Sequence, residues 1–434
     1  MQKSNYHSYQ EIVLQQQGVG MHITRAKKKL DVLLISGSYS PQRGGVASHV
    51  EWLAKALGQL QSKGDKRRIC NVHVLTGTPH KEIRGEKYPK VHRVIPPEDG
   101  HSAPFSSASN VPLIGPIQYA LTKWDGIMPD IIHAHDFESI QIGLMLKIAH
   151  KIPLIATIHK TPKEHDVTLM EREPKECYLA FMQMHDFVDH LVAPSSAYGT
   201  RLASQGFSEE KITLIHHGIP VRSLAGLKNK LSVFNRFNLE EKSNFFFCPT
   251  RLDAHKGLET LISAAEILAH SNDVSSCRYV IAGSGIKKYK DELIQKLAEK
   301  NLLSLFRLGP DDGGDCDERE MATLYRHAKA CILPSKREGF GLSLLESFVF
   351  RAPVIASNTG GIPDVIDPRI NGYLFNRDEP EDLAKQIKRL IANPQRTQAF
   401  VRKALERVEN EFSAEIMAQK YFDLYQEIAG IKVA

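Results

Sequence analysis

KREGFGLSLLESFVFRAPVIASNTGGIPDV, running from Lys336 to Val365, sets two glutamates around a glycine turn. The apolar run Cys331 to Ser335 before it reads as a strand, and Gly339-Phe340-Gly341 reads as the turn. A helix then carries Glu346 about one and a half turns in. Glycines let backbone N–H groups approach a ligand closely. A helix opening near Gly341 and Leu342 offers unpaired N–H donors and a positive dipole end to an anion. Glu338 stands at the mouth of the turn, where its carboxylate can accept hydrogen bonds from hydroxyl groups. Glu346 lies deeper along the helix, where it can hold a vicinal pair of hydroxyls. The pattern suits a diphosphate flanked by two hydroxyl-bearing ends. An ordinary strand-turn-helix connection with two surface glutamates has the same local form, so the other segments have to separate the two.

A second segment, FFFCPTRLDAHKGLETLISAAEIL, opens at Phe245 with an apolar strand that delivers Arg251 to the turn. Lys256-Gly257 follows directly before a helix whose apolar residues Leu258, Leu261, Ile262, Ala265 and Leu268 recur at helical spacing. Two cations therefore bracket a strand-to-helix turn. Arg presents a planar fork and Lys a point charge, a combination that can grip a diphosphate. The strand Cys277 to Gly285 ends in another glycine turn, with Gly283 placed for close backbone approach.

The first half of the chain repeats the theme. DVLLIS, Asp31 to Ser36, is the continuous apolar run of a strand buried on both faces of a parallel sheet. It feeds a loop ending at Gly44-Gly45, and a helix follows through Leu57. The spacing is not G-x-G-x-x-G, so a nicotinamide dinucleotide is not indicated. Strands are expected near Val72 to Thr76 and Val91 to Ile95, then a Pro/Ser/Asn-rich loop from Pro96 to Pro112 and a helix ending about Trp124. That loop is long and polar, a candidate binding element. DIIHAH, Asp130 to His135, and PLIATIH, Pro153 to His159, are strands that end in histidine. Ligands collect outside the carboxyl ends of parallel strands, which makes His133, His135 and His159 candidates for ligand contact. A metal site built on His-x-His is disfavoured, because side chains two apart on a strand lack a clustered Cys or carboxylate partner here. Asp315-Cys316-Asp317 reads as a solvated loop with an aspartate capping the next helix.

With 434 residues, 42% hydrophobic and 24% charged, the chain has the size of two ordinary globular domains. No apolar run approaches the roughly 20 residues needed to cross a bilayer, and the six scattered cysteines fit a reducing cytosol. Met1 to Arg93 holds 16 Lys or Arg against 6 Asp or Glu. Such a region can rest on an anionic membrane surface, with Lys27 to Lys29 closest to the first strand, or be a solvated basic face. No nucleic-acid motif accompanies it.

The E-x7-E spacing of Glu338 and Glu346, together with APVIASNTGGIPDVI from Ala352 to Ile366, resembles retaining glycosyltransferases of family 4. The resemblance implies an α/β GT-B fold, two Rossmann-like domains facing each other across a cleft. It implies residues 30–222 as the acceptor-side domain, while residues 1–29, rich in Gln, read as a flexible lead-in and 223–243, polar and basic, as a linker. Residues 244–410 would form the nucleotide-sugar domain, and 411–434 a helix crossing back to the first domain. Glu338 would lie against the donor sugar and Glu346 against the ribose. Arg251 and Lys256 would hold the diphosphate, with Gly44, Gly45, Gly283, Gly339, Phe340, Gly341 and Leu342 lining the donor. His135 would touch the sugar near its reacting carbon, leaving His159 an acceptor-side or structural role. The expected activity is transfer of a hexose from a UDP- or GDP-linked sugar to a hydroxyl of a lipid carrier, glycan or small molecule. It would proceed without metal or cofactor, in the cytoplasm or peripherally at the inner membrane face. A GT-B epimerase or phosphorylase, or a noncatalytic nucleotide-sugar binder, would use a similar cleft. One turn departs from the family: His217-Gly218-Ile219-Pro220 stands where Asn-Gly-hydrophobic-Asp is usual, which removes a carboxylate.

Overall fold

The computed structural model describes residues 25–76 apart from 43, 63 and 65, then residues 89–93, 128–159 and 182. It also describes residues 185–269 apart from 242 and residues 277–433 apart from 286, 311 and 312. Two parallel sheets organise it. In the first, β2 (Leu30–Ser36), β3 (Cys70–Thr76), β4 (Lys90–Arg93), β5 (Ile131–His135), β6 (Leu154–Thr157), β7 (His190–Ala193) and β8 (Ile212–Leu214) stand in the order β4-β3-β2-β5-β6-β7-β8. Every residue of β2 is buried, as its unbroken apolar run requires of a strand covered on both faces. The chain builds outward from β2 to β4, then returns to the other side of β2 at β5, where Ser36 pairs with His135. The carboxyl ends of β2 and β5 are thus a topological switch point, a place where open sheets leave a crevice for ligands.

The second sheet repeats the construction. β9 (Phe245–Cys248), β10 (Arg278–Ile281), β11 (Phe306–Leu308), β12 (Ala330–Leu333), β13 (Val354–Ser357) and β14 (Tyr373–Phe375) stand in the order β11-β10-β9-β12-β13-β14. Its switch point lies between β9 and β12, the two strands whose ends carry Arg251 and Glu338.

The helix Ala414–Ala429 leaves the second domain and packs Met417, Ala418, Tyr421, Phe422, Leu424 and Tyr425 into a core shared with Leu30, Val32 and Leu34 of β2. Its last residues add β15 (Ile431–Val433), which pairs in parallel with β1 (Arg25–Lys27). Two expectations change here. The end of the lead-in is ordered, because β1 gains a strand partner and Lys27 binds Asp31 at 3.1 Å and Asp130 at 2.8 Å. Lys27 is therefore committed to the fold rather than to a membrane surface. The linker is also less open than its polar sequence suggests: Val233, Phe234 and Phe237 are buried in the core of the second domain. Asp317 does cap the helix Glu318–His327, in a reciprocal box with Glu320. The Pro/Ser/Asn-rich loop at 96–112 and the helix expected to end at Trp124 lie outside the described residues. Among the described residues no helix is long and apolar enough to cross a membrane.

Candidate functional site

At the carboxyl end of β9, Arg251 extends into solvent with Asp253 at 4.0 Å. Asp253 accepts the N–H of His255 and so shapes the short turn Ala254–Lys256. Gly257 closes that turn at φ +64°, and a Cβ there would collide with the carbonyl oxygen of Pro334 at the end of β12. Only glycine brings the two strand ends this close. The consequence is a direct pairing: Lys256 Nζ donates to Glu338 Oε2 at 2.8 Å, and Ser335 Oγ donates to the same oxygen at 3.1 Å. Gly283 and Gly285 are equally constrained, since a Cβ on either would strike the carbonyl of Thr250 or Leu252. They clamp the turn that carries Arg251.

The glycine turn after Glu338 runs into the helix Leu342–Val349, capped only by the backbone of Gly341 at φ +96°. Gly341 has no side chain to cap the helix, an arrangement that suits an anion-binding end. Phe340 is buried and Leu342 packs on the same core. Behind the turn, Gly360 and Gly361 press on the carbonyls of Glu338 and Gly339, and the Gly361 N–H donates to Glu338 O at 3.1 Å. Glu346 meets the helix Glu318–His327, where the hydroxyl of Tyr325 donates to Oε2 at 2.6 Å. Burial pushes the Glu346 carboxyl up to about 7, with the Tyr325 hydrogen bond pulling the other way.

Across the cleft, the helix Gly45–Gln59 begins at Gly44, φ +147°, again with no side-chain cap. A Cβ on Gly45 would lie 4.0 Å from Leu342 Cδ1. Two uncapped helix starts, one from each domain, therefore converge on one spot. Nearby, Asp364 of the Gly-Gly-x-Pro-Asp turn accepts the Ser196 N–H at 2.6 Å and contacts His216 Nε2 at 3.3 Å. Burial alone would raise its pKa, but those two partners outweigh it and hold the carboxyl below the usual range. Tyr198 stands next to Gly339.

His135 is buried, and its Nδ1 lies 3.1 Å from His159 Nε2. The residue meeting the glycine turn is His159, whose carbonyl oxygen would be 3.4 Å from a Cβ on Gly339. His133 is tied elsewhere, to Tyr425 Oη at 2.6 Å and Thr157 Oγ1 at 2.7 Å. Burial, then the neighbouring His159, holds His133 down to about 3. The altered turn brings His217 against His49, with ring centroids 4.0 Å apart, and edge-on to Phe340 at 5.4 Å. Sequence reasoning missed His49, Tyr325, His216 and Asp364. His49 left a trace four residues into the helix that follows Gly45, and Asp364 left one as the acid of the Gly-Gly-x-Pro-Asp turn.

Two doubly wound parallel domains with facing switch points define the GT-B class of proteins. The chain belongs to the family 4, group 1 glycosyltransferases. The model described as Glycosyltransferase Family 4 matches residues 43–223, and the model described as Glycosyl transferases group 1 matches residues 230–407. Among relatives, a D-inositol 3-phosphate glycosyltransferase of Streptomyces bingchenggensis is 26% identical over 62% of this chain, which spans 61% of that relative's length. An uncharacterized glycosyltransferase of Methanocaldococcus jannaschii is 23% identical over 92% of this chain and 98% of its own. Among solved structures, a sucrose-phosphate synthase from Thermosynechococcus elongatus superposes with a TM-score of 0.72 at 20% identity, over 92% of this chain and 99% of its own. HepE of Anabaena, solved in complex with UDP-glucose, gives 0.71 at 19%, over 92% of this chain and 100% of its own.

Proposed function

We propose that this chain is a retaining hexosyltransferase that uses a UDP- or GDP-linked sugar and delivers the sugar to a hydroxyl of a lipid carrier, glycan or small molecule. One observation carries the reading: two uncapped helix starts, at Gly44-Gly45 and Gly341-Leu342, converge beside the Lys256–Glu338 pair. Two positive helix ends and two cations, Arg251 and Lys256, suit a diphosphate leaving group whose negative charge grows during transfer. With that charge met by the protein, the step calls for no metal. Glu338, already oriented by Lys256 and Ser335, would accept hydrogen bonds from the sugar hydroxyls. Glu346 would hold the ribose, exchanging or sharing its Tyr325 contact. His135 would approach the sugar from the first domain, with His159 between it and the glycine turn. The solved UDP-glucose complex of HepE favours UDP over GDP as the first donor to try.

The deciding experiment is a thermal-shift screen of the full chain against UDP, GDP, ADP and their common sugars, with and without EDTA. Stabilisation by one base, unchanged by EDTA and lost in Arg251→Ala, is the expected result. No stabilisation of a folded protein by any of them would overturn the donor assignment. Turnover of the sugar nucleotide without acceptor, or only with inorganic phosphate, would instead make the protein an epimerase or a phosphorylase.

A further inference from the structure

Behind the glycine turn, the first domain collects four imidazoles, of which the donor reading uses only His135. His49 comes from the helix Gly45–Gln59, His135 from the end of β5, His159 from just past β6 and His217 from the turn after β8. Ring centroids lie 4.0 Å apart for His49 and His217, 5.0 Å for His49 and His159, and 5.1 Å for His159 and His217. His135 stands 5.4 Å from both His49 and His159. Both ring nitrogens of His49, Nε2 of His135 and Nδ1 of His217 are buried with no hydrogen-bond partner. Leaving a buried polar atom unpaired costs roughly 1–3 kcal/mol, and native interiors leave few such atoms. A neutral imidazole carries one lone pair, so these three rings offer up to three lone pairs to one shared partner.

We propose that His49, His135 and His159 form a site for a divalent transition-metal ion, zinc being the expected occupant, with His217 facing the fourth position. One ring nitrogen from each of the three lies within 4.8 Å of the other two. Tetrahedral zinc with Zn–N near 2.0–2.1 Å needs those nitrogens about 3.4 Å apart, so the rings draw together by at most about 1.4 Å on binding. Imidazole-only donors select zinc, cobalt, nickel or copper, while magnesium and calcium prefer oxygen. Burial, and then the neighbouring imidazoles, hold His49, His135 and His217 well below the ordinary histidine range. They are therefore neutral at pH 7, which is the form that ligates. The partners that His-x-His lacks in the sequence are imidazoles brought in from other elements. The ligands come from three different elements, and His133 is occupied by Tyr425 and Thr157. The site lies behind the surface that meets Gly339 and Phe340, so an ion there would stiffen the wall against which the second domain closes. It rests on the first domain's imidazoles rather than on the diphosphate groups, which lie mostly on the opposite domain, and it gives His135 to the ion instead of to the sugar.

The test uses the full chain, stripped with a heterocyclic chelator and titrated with Co²⁺ and then Zn²⁺. The expected result is about one Co²⁺ per chain with the intense visible bands of tetrahedral coordination, displaced by Zn²⁺ and raising Tm, with Mg²⁺ giving no displacement. His49→Gln and His159→Gln should each weaken binding at least tenfold while keeping the nucleotide-induced shift. Weak, multiple or octahedral Co²⁺ binding to the wild-type chain overturns the proposal without any variant. So does unchanged affinity in a folded His49→Gln or His159→Gln. Loss of the nucleotide shift in wild type, with the cobalt spectrum intact, would sink the donor reading and leave the metal site standing.

Discussion

On the second-domain side of the cleft, Lys256 and Glu338 are charged, 20% and 16% exposed and paired at 2.8 Å. On the first-domain side, His49, His133, His135 and His217 are buried and their pKa values are depressed. The charged half is set by glycines that let two strand ends approach, so its side chains stay near water and ready for an anionic ligand. The neutral half is set by packing: Tyr425 and Thr157 fix His133, and the terminal helix covers the floor of the sheet. Charges that must meet a diphosphate are kept accessible, because burying them would cost several kcal/mol each. Imidazoles can be buried because they lose their charge instead.

The largest expected effect breaks the charged half. Glu338→Ala should lower kcat/KM for transfer by roughly 10²–10³, about 3–4 kcal/mol, with circular dichroism unchanged. Activity within threefold of wild type would remove Glu338 from the site. Next, Gly360→Ala should cost about 3 kcal/mol of stability, because φ is +54° and the new Cβ would strike the Glu338 carbonyl. Urea denaturation reads this, and a midpoint equal to wild type would mean the turn is not held as described.

Glu346 supplies a pH test. Its folded pKa, about 7, lies above the ordinary 4.5, so the native state binds more protons than the unfolded state between those values. Its contribution is full below pH 4.5 and is lost as pH rises through 7. Glu346→Gln should therefore gain about 3 kcal/mol at pH 8, gain less than about 1 kcal/mol at pH 5, and bind nucleotide more weakly at both. A gain of the same size at the two pH values would show that the carboxyl is not the titrating group.

The smallest effect falls on the neutral half. Tyr425→Phe removes one partner of His133 and should cost about 1 kcal/mol, leaving the nucleotide-induced shift in place. Loss of that shift would show that the two halves are coupled more tightly than their separate packing implies.

Much of the charged half was legible in the sequence, because its parts are local. Arg251, Lys256-Gly257, Glu338 and Gly341 each follow an apolar strand at a turn, and a parallel sheet puts such turns on one edge. Asp317 as a helix cap was legible for the same reason. The sequence alone determined two doubly wound units and the glycine turns at their switch points, since apolar periodicity and glycine placement act within a dozen residues. Tertiary structure alone decided which imidazoles meet. His133 and Tyr425 are 292 residues apart and touch at 2.6 Å. His49, His159 and His217 converge because sheet order, not spacing, places the ends of β2, β5, β6 and β8 around one helix start. The ordering of β1 by β15 and of Lys27 by Asp130 was decided in the same way. Long-range contacts of this kind depend on strand order and on the return of the terminal helix, and no local pattern of side chains encodes either.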